Sequence, residues 1–449
     1  MSDTQPGAAA EIIEADLTWT GQRFDVGVQV AVGGGARIEA VGRLGLNPTQ
    51  RLRGQALLPG LVDVHSHAFQ IGLRGRGERF PGGRGSFWSW REAMYELVDS
   101  LDLERFRALT LEAFLECRDA GITTVGEFHY VHHATAERDH DLDIVLLDAA
   151  AEAGIRLVLL STHYQNGGFG KPLHGSQRRF DTRSPGEFWT SVDRLSAGLE
   201  PGTQTLGVAA HSVRAVPIEA IAELHQEARH RDLVFHMHVE EQPQEIEDCV
   251  DIHGCRPMTL LNDTLEIDDR FTAVHCTHTA SDDMHRFLER GGNVCICPLT
   301  EANLGDGIAD VPAIHGAKGN ICLGTDSNAR IAMTEEMRWL EYVQRLKSQQ
   351  RGLVTDQDGG GATALLDVAT VNGAGALGVA TGLIAPGLWA DFVTLDLTAP
   401  ALIGVDADTL LDAWVFGTGN EAIVATCVGG AWRPSRPARV ANAQPEDSD

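Results

Sequence analysis

Eight times between residues 61 and 327, a short apolar, β-branched run gives way to a polar turn, and helix-period segments lie between or after the runs. The runs are LVDVHSHAF (61–69), TTVGEFHYV (123–131), RLVLLSTHY (156–164), TLGVAAHSV (205–213), VFHMHVEE (234–241), FTAVHCTH (271–278), NVCICP (293–298) and ICLGTDS (321–327). LERFRALTLEAFLECRDAG, PIEAIAELHQEARHR and MTEEMRWLEYVQRLKSQQ supply the helical period. Strands that read as continuous apolar runs are buried on both faces, which requires a parallel sheet covered by helices. Eight such units predict an α/β chain closed into a (β/α)₈ TIM barrel. The competing architecture, an open doubly wound sheet, lacks its glycine-rich phosphate-binding turn after the first run.

The two ends read differently. FDVGVQVAV and ARIEAVG near the start, and DFVTLDL and AIVATCVGG near the finish, are short, alternating and punctuated by glycine. Residues 1–59 and 379–435 are therefore expected to combine into one small β-sandwich domain beside a barrel at 60–378, with a polar tail at 436–449. The formal net charge is −27, from 36 Lys+Arg against 63 Asp+Glu. Such a surface repels phosphate-rich partners, which argues against nucleic acid and anionic membranes. With no export signal and no apolar run approaching ~18 residues, a soluble cytoplasmic protein with reduced cysteines is expected. Cys295 and Cys297 share one face of a strand and read as small core residues rather than as a metal pair.

Histidines carry most of the chemical information. His65, His67, His129, His163, His211, His236, His238, His275 and His278 fall near the C-terminal ends of runs, which is the barrel rim where active sites assemble. His65 and His67 alternate along the first strand and point to one side. The fifth run offers His236, His238 and then Glu241; the sixth offers His275; the eighth ends in Gly-Thr-Asp326-Ser. Histidines and one aspartate from four strand ends predict a mononuclear metal site with an open coordination position.

The motifs LLPGLVDVHSH, HVEE, HCTH and GTDS, in that order, with GLIAPGLWADFVTLDL near the end, resemble the amidohydrolase superfamily. The resemblance implies metal ligands His65, His67, His238 and Asp326, with His236 left to a supporting role. It implies His275 beside the reacting water or substrate and Glu241 as proton shuttle, with Asp326 also accepting the water's proton. Two-metal members carry a bridging lysine at the end of strand four. Here the only lysines are Lys171, Lys318 and Lys347, so one divalent ion, zinc or alternatively iron, is expected. That ion lowers the pKa of bound water to ~7, and the resulting hydroxide attacks a carbon bearing nitrogen.

Finer motifs narrow the substrate. Phe69-Gln70, FWSWRE (87–92), EFHYVHH (127–133) and TEANLGDG (300–307) resemble the branch of that superfamily that deaminates N-formimino-L-glutamate in histidine degradation. This implies N-formyl-L-glutamate and ammonia as products, with Gln70, Arg91, Tyr130, His211 and Arg214 holding the substrate, and a homodimer. Arg91 is expected in a long aromatic loop that covers the site as a lid and overhangs the metal, and Arg214 just past strand four. Two guanidinium groups suit a dicarboxylate in a strongly anionic protein. The alternatives are a deaminase of a heterocyclic amine of guanine or adenosine type, and a catalytically silent scaffold. Asn328-Ala329-Arg330 departs from relatives at a position expected near the metal, and the loop at 165–183 is assigned no role.

Overall fold

The computed structural model describes residues 11–78, 80, 83, 85–135 and 140–436; the expected polar tail beyond Arg436 and the first ten residues lie outside the described residues. Each of the eight runs forms a strand: β1 (Leu61–Ser66), β2 (Ile122–His129), β3 (Arg156–His163), β4 (Gln204–Ala210), β5 (Phe235–Val239), β6 (Phe271–His275), β7 (Asn293–Ile296) and β8 (Asn320–Leu323). They lie in consecutive order in one sheet, each parallel to the next. Every residue of β2 and β3 is buried, as the uninterrupted apolar runs require.

Closure between β8 and β1 is thin. A single bridge pairs Ser66 with Asp326. Asp326 donates its backbone N–H to the His65 carbonyl, and His67 donates to the Asp326 carbonyl, each at 2.8 Å. Beneath this seam the buried Asp63 carboxylate accepts from Thr325 N at 3.0 Å and from the Thr325 hydroxyl.

The apolar runs extend up to four residues past the hydrogen-bonded strands. At the rim the chain leaves the ladder abruptly: Glu240, His275, Cys276, Asp326 and Asn328 all have φ between 48° and 73°. Non-glycine residues held there cost energy and concentrate at functional sites. The helix Leu103–Asp119 follows β1 and is capped by Asp102, whose carboxylate accepts from Arg105 N at 2.8 Å.

FWSWRE is not a loop. It opens the helix α1 (Phe87–Asp99), with Ser86 and Ser89 capping each other's backbone N–H groups. Phe87, Met94, Leu97 and Val98 are buried along one stripe of it. The density of aromatic residues masked this helical spacing in the sequence.

The end segments pair into one continuous mixed sheet rather than two separate ones. Glu11–Trp19 runs parallel to Gln50–Pro59, which pairs antiparallel with Phe392–Asp396 from the far end of the chain. Ile13, Val30, Ile38, Leu57, Phe392 and Cys427 form its own apolar cluster. A buried, bidentate ion pair ties this sheet to β3: Arg156 Nε and Nη2 lie 2.8 and 3.0 Å from the Asp391 oxygens. Among the described residues, no helix is long and apolar enough to cross a membrane.

Candidate metal centre and active-site cleft

His65 and His67 leave the end of β1, His238 sits in β5, and Asp326 follows β8, so strand ends alone bring these four residues together. All are buried and their ligand atoms converge within 4.8 Å. His65 Nε2 and His238 Nε2 are 3.2 Å apart. Asp326 Oδ1 lies 3.2 Å from His67 Nε2 and 3.5 Å from His65 Nε2. Bonds of about 2.0–2.1 Å in a tetrahedral site separate their outer atoms by roughly 3.3–3.4 Å, so the spacing fits a small divalent ion.

The tautomers fit as well. Nδ1 of His67 donates to the Phe128 carbonyl at 2.9 Å, and Nδ1 of His238 donates to the His211 carbonyl at 3.0 Å. Both Nε2 lone pairs are thereby directed inward. Burial pushes His65 down to about 3 and lowers His67 and His238, keeping the imidazoles neutral as ligation requires. Burial alone would raise Asp326, but the hydrogen bond to His65 and the nearby His67 and His275 hold it below the usual carboxylate range.

Above the group opens a cleft. Gln70, Arg91, Tyr130, His211, Arg214, Glu241 and His275 all line it, with His67, His238 and Asp326 at its floor. His275 Nε2 stands 4.0 Å from Glu241 Oε1 and 3.9 Å from Asp326 Oδ2, while Nδ1 lies 3.3 Å from Glu301 Oε1. Burial would lower His275, but Glu241, Cys297 and Glu301 together raise it well above the usual histidine value. Burial also raises Glu241, against the attraction of His275 and Arg214. A carboxyl so raised keeps its proton more readily than a free glutamate and can pass it to a neighbour.

Gln70 donates its amide to the Tyr130 hydroxyl at 2.9 Å, leaving the buried amide oxygen without a protein partner. Arg91 projects from α1 and lies 5.4 and 5.2 Å from the ring centroids of Trp88 and Tyr95. Arg214 faces two carboxylates, Glu241 and Glu245, each at 3.9 Å.

Several expected positions fall elsewhere. His236 contacts the Ala376 carbonyl at 3.3 Å, not the cleft. His129 points to Asp143, and His163 pairs with the Thr182 hydroxyl at 2.7 Å; neither imidazole joins the metal group. Asn328 does not face the cleft: its side chain bonds Ser66 Oγ at 3.0 Å and the Thr325 hydroxyl at 2.7 Å, stitching β1 to β8. Arg330 is exposed and pairs with Glu335. The loop at 165–183 does flank the cleft, contributing Phe180, while Gln177 donates to the Tyr95 hydroxyl at 3.0 Å.

The sequence reading missed Tyr95, Tyr164, Phe180, Glu245 and Glu301. Glu301 lay inside the TEANLGDG motif and Tyr164 at the end of the third run, but neither was given a role, and Glu245 carried no signal of its own.

Among the described residues, two other side-chain groups gather ligand-type atoms: His129–His132–Asp143 and His275–Cys297–Glu301. In the first, Asp143 Oδ1 accepts from both histidines at 2.9 and 2.8 Å, and His132 also donates to the Thr162 carbonyl at 2.8 Å. Those are direct hydrogen-bond lengths, shorter than the edge of a metal tetrahedron. The FHYVHH segment is thus fastened behind Tyr130 by an ionic knot.

Residues 56–433 match the model of the amidohydrolase family. Formimidoylglutamate deiminase of Pseudomonas aeruginosa is 38% identical over 386 residues, covering 84% of this chain and 84% of that protein. A 5-methylthioadenosine/S-adenosylhomocysteine deaminase of Natronomonas pharaonis is 28% identical over 380 residues, covering 84% of this chain and 81% of its own. Among solved structures, an amidohydrolase from Brucella melitensis superposes with a TM-score of 0.86 at 32% identity, covering 95% of both chains. An adenosine deaminase from Xanthomonas campestris with bound zinc gives a TM-score of 0.79 at 23% identity over 95% of this chain and 93% of its own, a likeness of fold. With three imidazoles and a carboxylate at the mouth of a parallel barrel and a family match across nearly its whole length, this chain belongs to the amidohydrolase family of metal-dependent hydrolases acting on C–N bonds.

Proposed function

We propose that the protein hydrolyses N-formimino-L-glutamate to N-formyl-L-glutamate and ammonia, a step of histidine degradation. The observation that carries this reading is the pair of guanidinium groups, Arg91 and Arg214, lining the same cleft as the metal-ligand group in a protein of net charge −27. A dicarboxylate needs two such anchors, and elsewhere the surface repels it. The 38% identity to a formimidoylglutamate deiminase supports the same substrate.

In this reading His65, His67, His238 and Asp326 would hold one zinc ion, which would supply the Lewis acidity that activates water. Asp326 accepts the water's proton through Oδ2, the oxygen facing His275. His275, whose protonated form is favoured by its acidic neighbours, stabilises negative charge developing on the nitrogen of the attacked group. Glu241, raised by burial, delivers a proton to the departing nitrogen. Gln70 and Tyr130, already joined to each other, offer polar atoms to the bound formimino-amino acid.

A second reading, deamination of an adenosine-type amine, is favoured by the aromatic lining of Phe87, Trp90, Tyr95, Tyr164 and Phe180 and by the 28% identical relative. Ammonia release from a panel of formimino-amino acids, purine nucleosides and pterins separates the two. N-formimino-L-glutamate is expected to be the fastest substrate, with N-formyl-L-glutamate as the organic product. Faster turnover of a nucleoside, or recovery of glutamate and formamide, would overturn the assignment.

A further inference from the structure

The pairing of Arg214 with its acidic neighbours is unusual for so enclosed a cation. Its side chain is only 12% exposed, yet it stands 3.9 Å from Glu241 Oε2 through Nη2 and 3.9 Å from Glu245 Oε1 through Nε. Neither distance is a hydrogen bond. Arg214 Nε and both oxygens of Glu245 are buried without any hydrogen-bond partner. Glu245 comes from the first turn of the helix Pro243–His253, and its side chain is fully enclosed.

The charged groups facing Glu245 are Arg214 after β4, Glu240 and Glu241 after β5, and His275 at the end of β6. Glu240 is served elsewhere, by Met258 N at 3.1 Å and Arg256 at 3.5 Å. Glu241 has His275 as well as Arg214. Arg214 is therefore the cation on which Glu245 depends. A ligand carboxylate engaging that guanidinium would place a third anion on one enclosed cation. Of the three, Glu245 has both oxygens buried without a partner and no second cation as close as His275 is to Glu241, so it is the one most easily neutralised.

We propose that Glu245 is a positioning residue that takes up one proton from solvent when a substrate carboxylate pairs with Arg214, so that carboxylate affinity in this cleft is set by proton uptake at a residue that never touches the substrate. This rests on the dicarboxylate reading above. No bond is made or broken beyond that protonation, and the expelled ion-pair partner becomes a neutral carboxyl. Burial pushes Glu245 up to about 7 in the free protein, so the uptake is partial at neutral pH and nearly complete at pH 8.

The experiment is calorimetric titration of the zinc-loaded protein with N-formyl-L-glutamate, which carries both carboxylates and is not consumed. Buffers of different ionisation enthalpy report the protons exchanged. At pH 8 the wild type is expected to take up nearly one proton per ligand. Glu245→Gln should take up almost none and bind about tenfold tighter at pH 8, because one unit above a pKa near 7 the ionised form predominates about tenfold. At pH 6 the two affinities should converge. Melting temperature and zinc content establish that the variant is folded, and the wild-type proton count stands without it. Binding by the wild type without proton uptake, or uptake that persists in Glu245→Gln, overturns the inference and leaves the substrate reading standing. A wild type that ignores the dicarboxylate but deaminates a heterocyclic amine removes that reading, and the inference with it.

Discussion

Glu241 stands between the imidazolium of His275 and the guanidinium of Arg214, close enough to both to exchange its proton load with the site yet hydrogen-bonded to neither. Glu241→Gln keeps the shape and removes the proton. Turnover measured by ammonia release is expected to fall by about 10²–10⁴-fold with metal content unchanged, and a loss below tenfold would exclude it from proton transfer. A second residue-scale prediction concerns His132. Burial opposes its charge, but Asp143 outweighs burial and raises it, and donation from both ring nitrogens requires the cation. A histidine raised on folding stabilises fully below its unfolded pKa of about 6.5 and loses that contribution as pH rises through its folded value. The melting-temperature gap between wild type and His132→Gln should therefore be largest near pH 6 and shrink toward pH 9.

What was legible at this scale follows from chemistry. Metal coordination demands particular residue types at strand ends, so His65, His67, His238 and Asp326 could be read from spacing and motif. Glu245 could not, because a glutamate on an amphipathic helix reads as solvated until the fold encloses it. Asn328 misled because adjacency to Asp326 in sequence says nothing of direction, and at φ 55° the chain turns its side chain toward the strand seam.

Among elements, α1 shows how local signals can conceal each other. Its aromatic residues suggested a loop, whereas Ser86 and Ser89 satisfy the first-turn N–H groups and fix where the helix begins. Arg91 lies barely one turn beyond that start. Ser86→Ala should destabilise by about 1 kcal/mol and raise KM for the dicarboxylate several-fold while changing kcat little, as judged from steady-state kinetics alongside thermal melts. The strands were easier. Residues enclosed on both sides leave continuous apolar runs, and all eight were visible, with errors of one residue at most at their N-terminal ends and up to four at their C-terminal ends. There the same apolar and histidine texture continues into chain that has already left the ladder.

For the molecule as a whole, the joint between barrel and small sheet rests on a buried cation. Arg156 is clasped by Asp391, which also accepts from Gly429 N at 2.7 Å and from the Thr381 hydroxyl at 3.0 Å, and Trp389 covers the guanidinium at 4.4 Å. Asp391→Ala strands that cation and should cost about 3–5 kcal/mol, read as a lowered midpoint in denaturant. This long-range pair was invisible in sequence because 235 residues separate its members. Metal removal is the other global test. Dialysis against a chelator should abolish ammonia release and lower the melting temperature, with both restored by zinc, since a ligand bound only to the folded form stabilises it.

The seam at Ser66 and Asp326 gives that linkage a particular form. Its two backbone hydrogen bonds are made by His65, His67 and Asp326, three of the four side chains that converge on the ion's position. Joining the eighth stave to the first thus also brings Asp326 to His65 and His67. A molecule whose cylinder has not shut leaves Asp326 apart from His65 and His67, so the divalent metal bound by a preparation becomes a census of correctly completed chains.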